Sequence, residues 1–209
     1  MSKGQEPCEP LDWQEQFLPL LLSISGEIEQ QQSSELSETL RRYQTIIACG
    51  GYLGLRAKEF LDLSWHEIIG KTHKMQFQFK PKTKRKVYFS PSLLKIVERN
   101  YLAINPDAIH HLILHKKGEP LTPISTTQFN LYFKRRMKKA GLFKGNEEFA
   151  VASHTLRKTY VNFMFHSLGG DHNALVQTAK HMNYRSPDQV LDYLGIDKKN
   201  VKDFIFRMP

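Results

Sequence analysis

"SHTLRKTYVNF", residues 153–163, sets a histidine and an arginine three positions apart within an otherwise apolar and aromatic run. On a helix that spacing makes His154 and Arg157 neighbours on one face. A group able to carry a proton and a permanent cation would then point at the same spot, while the opposite side of the helix serves the core. Alone, the pair also fits a part-exposed histidine beside a solvated arginine. The rest of the chain has to decide between the two.

The chain has 209 residues, enough for one domain with a proper hydrophobic core. Its 40% hydrophobic share and 13 Phe indicate a folded protein. Cys8 and Cys49 are its two cysteines, too few for a disulfide framework and without partners at metal-ligand spacing. The apolar run "FLPLLLSI" is short and carries Pro19. No stretch approaches the ~18 apolar residues of a membrane span, so the chain reads as cytoplasmic. The net charge of +9 is unevenly spread. Residues 1–40 hold eight acids against Lys3, a net −7, which leaves +16 on the remainder. An excess of that size points to a polyanion, nucleic acid first.

Periodicity places the elements. "LDWQEQFLPLLLSI" is amphipathic, and the polar "EIEQQQSSE" reads as a linker. From Ser34 a long helix is expected, with Ser34, Ser37 and Glu38 at its start and the Gly50–Gly51 pair weakening its end. "RAKEFLDLSW" reads as a shorter helix. "KMQFQF" and "KVYFSP" alternate as strands around the cationic turn "KPKTKR", giving a β-hairpin. "AIHHLILHKKGEPLT" reads as a strand into a Gly turn, preceded by the helical "PSLLKIVERNYLAI" and followed by the basic helix "TTQFNLYFKRRMKKAGL". Beyond the His154 helix lie "NALVQTAKHM" and "SPDQVLDYLG", then an apolar-faced tail with Val201, Phe204 and Ile205. His110, His111 and His115 alternate in strand register with no Cys or carboxylate to complete a set, so no metal site is expected.

Four stretches in order carry a resemblance. In "GLRAKEFLDLSW", Gly54, Leu55, Arg56, Glu59, Leu63 and Trp65 resemble the first arginine motif of the tyrosine recombinase (phage integrase) family. Lys82–Thr83 in the hairpin resembles that family's Lys-Thr pair. His154 and Arg157 resemble its His-x-x-Arg motif, and "VLDYLGI" its nucleophile motif, with Tyr193 in the nucleophile's place. The likeness runs from Ser34 to Ile196 and departs at one point: Tyr184 stands where the family usually has a histidine, with His181 three residues earlier as an alternative.

The resemblance implies a mainly helical fold with a small antiparallel sheet, as an acidic segment over 1–33 and a catalytic domain over 34–209. It implies a site-specific recombinase that cleaves and rejoins DNA through a 3′-phosphotyrosine. No cofactor is implied, because the covalent bond conserves the phosphodiester energy. Double-stranded DNA is the expected partner, bound by a homo-oligomer, a tetrameric synapse, in the nucleoid. The tail helix is expected to dock on a neighbouring subunit. Most family members carry a DNA-clamping domain of about 100 residues before the first arginine. Here 55 residues precede Arg56, so the chain is either a minimal recombinase or a fragment.

The chemistry fits the residues. Metal-free cleavage of a phosphodiester needs charge neutralised on the non-bridging oxygens, and the planar forks of Arg56 and Arg157 suit those oxygens. Tyr193, a phenol of pKa ~10, must lose its proton as it attacks. His154 stands to accept that proton or to hold a phosphate oxygen. Lys82 is the expected acid for the leaving 5′ oxygen, with Lys80, Lys84 and Lys86 as competitors, and Tyr184 a hydrogen-bond donor. Two other readings remain: a catalytically impaired DNA-binding accessory protein, favoured by Tyr184, and a nicking-closing enzyme resembling type IB topoisomerases.

Overall fold

The structure, a computed structural model, describes residues 8–78, 83–112, 123–143 and 151–194. Lys82, His115 and the 199–209 tail lie outside the described residues. Among those described, helices dominate, and one two-stranded antiparallel sheet is present.

A π-helical turn, Trp13–Phe17, leads into α1 (Leu18–Gln30). Asp12 caps the turn, its carboxylate accepting from the N–H groups of Gln14 and Glu15. Helix α1 thus runs through much of the "EIEQQQ" stretch that the sequence reads as linker, because Leu20, Leu21, Ile24 and Ile28 recur on one buried face. Helix α2 (Ser34–Leu53) is capped by Ser33, one residue before the expected start. The short α3 (Ala57–Leu61) follows, and strands β1 (His73–Gln78) and β2 (Thr83–Tyr88) pair with His73 opposite Tyr88. Helix α4 (Pro91–Ile104) opens on Ser90 and Pro91. Helix α5 (Thr126–Lys139) begins at a Ser125–Gln128 capping box. The chain continues through α6 (Ser153–Ser167), α7 (His172–Met182) and α8 (Asp188–Leu194). His111 makes a single bridge to Ser64, and residues 108–110 form a turn where a strand was expected.

Gly50 and Gly51 do not weaken the end of α2; they lie inside it. A Cβ on Gly51 would sit 2.2 Å from the Phe17 ring, and one on Gly50 2.6 Å from Leu156 Cδ1. The pair therefore lets the N-terminal turn and α6 approach the α2 backbone, and helix propensity yields to packing. The helix ends instead at Gly54, in the left-handed conformation (φ 57°) that glycine adopts without strain.

The acidic start of the chain is part of this body. Leu11 is buried, and its N–H donates to Thr159 Oγ1 of α6 at 2.9 Å. Glu27 accepts from Arg136 and Lys139 of α5, each at 2.6 Å. Part of the basic face of α5 is thus neutralised from within the chain.

The apolar residues form a large cluster around α1–α6 and a smaller one of Val161, Ala179, Met182 and Val190. Val190 is the fully buried residue of α8. Tyr193 and Leu194 of the same helix pack partly against that cluster, and full burial of a side chain such as Val190 is worth about 1.5–3 kcal/mol. The floor between the two clusters is where the sequence motifs meet.

Candidate active site

Gly54 sets the first arginine. Its left-handed turn redirects the chain after α2, so Leu55 is buried while Arg56 emerges as the N-cap of α3. The Arg56 backbone N–H donates to Glu59 Oε2 at 2.8 Å, and its guanidinium lies 3.2 Å from Oε1 of the same carboxylate. Glu59 is almost wholly buried, whereas the Arg56 side chain keeps about a third of its surface (35%). One carboxylate thus fixes both ends of Arg56, and the guanidinium lines a cavity of about 340 Å³.

Arg157 is completely buried. From α6 it donates through Nη1 to the Gly54 carbonyl at 2.7 Å. Among the described residues its Nε and Nη2 lack a well-formed hydrogen bond, the Tyr184 hydroxyl being only a weak side-chain contact of the guanidinium. Unsatisfied N–H groups on a buried permanent cation are costly, and the oxygens of an anion would satisfy them. The rings of Tyr184 and Tyr193 lie over the guanidinium, with centroids 5.3 and 5.6 Å from Cζ.

His154, three residues earlier, remains exposed. Its ring centroid is 5.2 Å from that of Tyr193. The imidazole pKa is pushed down to about 4, first by the hydration lost on its packed side, then by Arg157, Lys158 and Arg56. At neutral pH the ring is uncharged, so a nitrogen lone pair is open to a proton or a hydrogen bond.

Tyr184 follows the left-handed end of α7 at Asn183 (φ 56°). Its ring stacks on Tyr193 with centroids 5.2 Å apart. Its hydroxyl is buried and makes no well-formed hydrogen bond among the described residues; burial raises its pKa, with the Arg157 charge acting the other way. His181, the alternative occupant of this role, is instead engaged elsewhere: its Nε2 shares a 2.8 Å hydrogen bond with the Tyr160 hydroxyl. Tyr184, Tyr193, Arg56 and Asp192 line the cavity; His181 does not.

The structure therefore brings together Arg56, His154, Arg157, Tyr184 and Tyr193, while Lys82 lies outside the described residues. His154 also borders a second hollow of about 510 Å³, flanked by Thr126, Asn130 and Lys134 of α5. His110 and His111 serve the turn after α4: the His110 carbonyl accepts from the Trp65 N–H, and His111 Nδ1 lies 2.9 Å from the Asp62 carbonyl oxygen.

Sequence reasoning missed Arg85. On β2, residues 85 and 87 face inward and 84, 86 and 88 outward. Arg85 is buried beneath the site and donates through Nη2 to the Leu53 carbonyl at 2.9 Å. The signal was the strand period itself, which puts Arg85 on the same face as Val87.

The model of the phage integrase family matches residues 28–193. Among solved structures, the post-cleavage complex of XerH site-specific recombinase with palindromic difH substrate gives a TM-score of 0.65 at 16% identity, covering 99% of this chain and 55% of that one. XerA recombinase gives 0.64 at 16%, covering 100% and 67%. A lambda integrase dimer bound to a COC′ core site gives 0.59 at 15%, covering 93% and 50%. At such identities the likeness is one of fold. The chain spans little more than half the length of the XerH protein. No curated protein matches.

Proposed function

Because the chain belongs to the phage integrase family, we propose that it cleaves and rejoins duplex DNA, with Tyr193 as nucleophile. One observation carries this reading: a buried guanidinium with two nitrogens lacking a well-formed hydrogen bond lies beneath the stacked rings of Tyr184 and Tyr193.

The Tyr193 oxygen attacks phosphorus in line with the 5′ oxygen. A new P–O bond forms to the phenol, the P–O5′ bond breaks, and a 3′-phosphotyrosine and a 5′-hydroxyl result. Arg56 and Arg157 neutralise the charge that builds on the non-bridging oxygens. His154, with a pKa near 4, is a weak base in the free protein. A bound phosphate offsets the repulsion from Arg157, Lys158 and Arg56, so DNA itself raises the imidazole's affinity for the phenol proton. Lys82 protonates the leaving oxygen, and Tyr184 donates its hydroxyl to a non-bridging oxygen. The reverse attack by a 5′-hydroxyl restores the phosphodiester.

Arg157 is sealed under two tyrosine rings. A phosphate reaches it only when those rings move, and α8, seven residues long with Val190 its one fully buried side chain, is the element to move. Exchange of both strands at two sites requires four nucleophiles, hence four copies of the chain on DNA.

The test is incubation with duplex DNA nicked near a candidate site, so that the cleaved fragment diffuses away and the adduct accumulates. A covalent band that maps to Tyr193 supports the reading. Salt-dependent DNA binding without any band would favour the accessory-protein reading, and salt-independent binding would remove the nucleic-acid reading.

A further inference from the structure

Arg85 has a role to find, because nothing in strand formation calls for a guanidinium there. Its side chain enters the body from β2 and meets three separate pieces of the site. Nη2 reaches the Leu53 carbonyl at 2.9 Å and the Gly54 carbonyl at 3.5 Å, and Nη1 lies 2.9 Å from the Met182 sulfur. Leu53 and Gly54 end α2 immediately before Arg56, and Met182 ends α7 two residues before Tyr184. The Gly54 carbonyl is also the oxygen that holds Arg157. One guanidinium therefore touches the backbone support of Arg56, the anchor of Arg157 and the helix end that presents Tyr184.

We propose that Arg85 is the positioning residue of the site, holding the α2 terminus against α7 so that Arg56 and Arg157 converge on a single tetrahedral oxyanion. The inference rests on the reading of the cavity as a phosphodiester site, and it adds a residue that touches no substrate.

Burial chemistry makes Arg, and not an apolar residue, the informative choice. Two buried guanidiniums share the Gly54 oxygen, and among the described residues no carboxylate forms an ion pair with either; Glu59 pairs with Arg56. Among the described residues Arg85 Nε lacks a well-formed hydrogen bond, as do two nitrogens of Arg157. Burial, and then the nearby Arg157, push the Arg85 pKa down to about 10, still well above neutrality. A methionine of similar length would avoid the desolvation cost of this paired charge. The pair is of use when an anion arrives: the second cation deepens the field at the cavity floor, and its hydrogen bonds to carbonyls 53 and 54 keep Arg56 from drifting with the chain.

The experiment uses the full chain with side-chain 15Nε–1H resonances of arginine as the readout, titrated with inorganic phosphate in the absence of DNA. In the wild type, the Arg56 and Arg157 signals are expected to shift together with one dissociation constant. In Arg85→Met the two should lose that common behaviour and phosphate should bind at least tenfold more weakly. Arg85→Lys, which keeps the charge and a donor, should recover most of the loss. If Arg85→Met does not fold, Arg85→Gln is read in the same titration with the same expectation. Equal phosphate affinity and unchanged arginine shifts in the variant overturn the proposal, as does a wild type whose two arginines do not respond to phosphate. Adduct formation on nicked DNA is measured in parallel. A wild type that binds phosphate as described but forms no adduct defeats the proposed function and leaves the positioning role standing.

Discussion

Tyr184 and Tyr193 stack with ring centroids 5.2 Å apart and planes 21° apart, and the pair roofs the guanidinium of Arg157. The two tyrosines stand nine positions apart in the chain, yet they compete for the same cation. Their hydroxyls therefore have different tasks only if the site opens asymmetrically, with α8 moving and Asn183–Tyr184 staying.

That asymmetry gives the first prediction. Tyr193→Phe should eliminate the covalent adduct and change DNA affinity by less than about threefold, since the ring is kept. Tyr184→Phe should slow cleavage on the order of 10-fold, the loss of one hydrogen bond of ~1.4 kcal/mol. Tyr184→His, which places another donor there, should retain activity. Peptide mapping of the trapped adduct decides between the tyrosines, and a phosphotyrosine at 184 would reverse the assignment.

Acid sensitivity follows chiefly from the partly buried His181, since solvent screens much of the effect at the exposed His154. The pKa values of His154 and His181 both lie near 4 in the folded chain, against about 6.5 for a free imidazole. For His181 the cause is lost hydration, then Arg85. Between those values the unfolded chain binds more protons than the folded one, so stability is full above about pH 6.5 and is lost as pH falls toward 4. The melting temperature should drop across that window, by roughly 2–4 °C per kcal/mol for a chain of this size. His181→Gln, whose amide can still meet Tyr160, should flatten the drop; an unchanged slope would contradict the assignment to His181.

Gly54 is a third lever. Its φ is 57°, and a Cβ there would lie 2.3 Å from the Tyr160 ring. Left-handed strain of about 1–2 kcal/mol adds to overpacking of about 1–3 kcal/mol. Gly54→Ala should thus destabilise the fold by some 2–5 kcal/mol in denaturant unfolding. It should also slow cleavage, because Arg56 and the Arg157 anchor both hang on this residue. A stable, fully active variant would show that the turn tolerates a side chain.

The hairpin lysine gives the fourth. Lys82→Ala should slow cleavage by a factor on the order of 10²–10⁴, the range for loss of a general acid, with DNA binding nearly intact. A substrate carrying sulfur at the bridging 5′ position should restore the rate, since a thiolate leaves without a proton. Failure of that rescue moves the acid's role to Lys84 or Lys86.

Much of this protein is local and could be read from the chain. The helical period of α2 and α4–α8 and the alternation of the hairpin depend on residues within a few positions of one another. So does the pairing of His154 with Arg157, which the i,i+3 spacing fixes. Tertiary packing decided the rest. Spacing places those two side chains on one face, but only the neighbours of α6 leave His154 exposed and bury Arg157 completely. Gly50 and Gly51 look like helix breakers until Phe17 and Leu156 arrive against them. Tyr184 and His181 are equal candidates along the chain, and the Tyr160 hydroxyl separates them by engaging the histidine. Arg85 is one cation among many in "KPKTKRKVY", and its burial becomes visible only with the α2 carbonyls in place. Periodicity tells which face a residue occupies; what covers that face, and so its charge, pKa and partners, is set by segments far away in the chain.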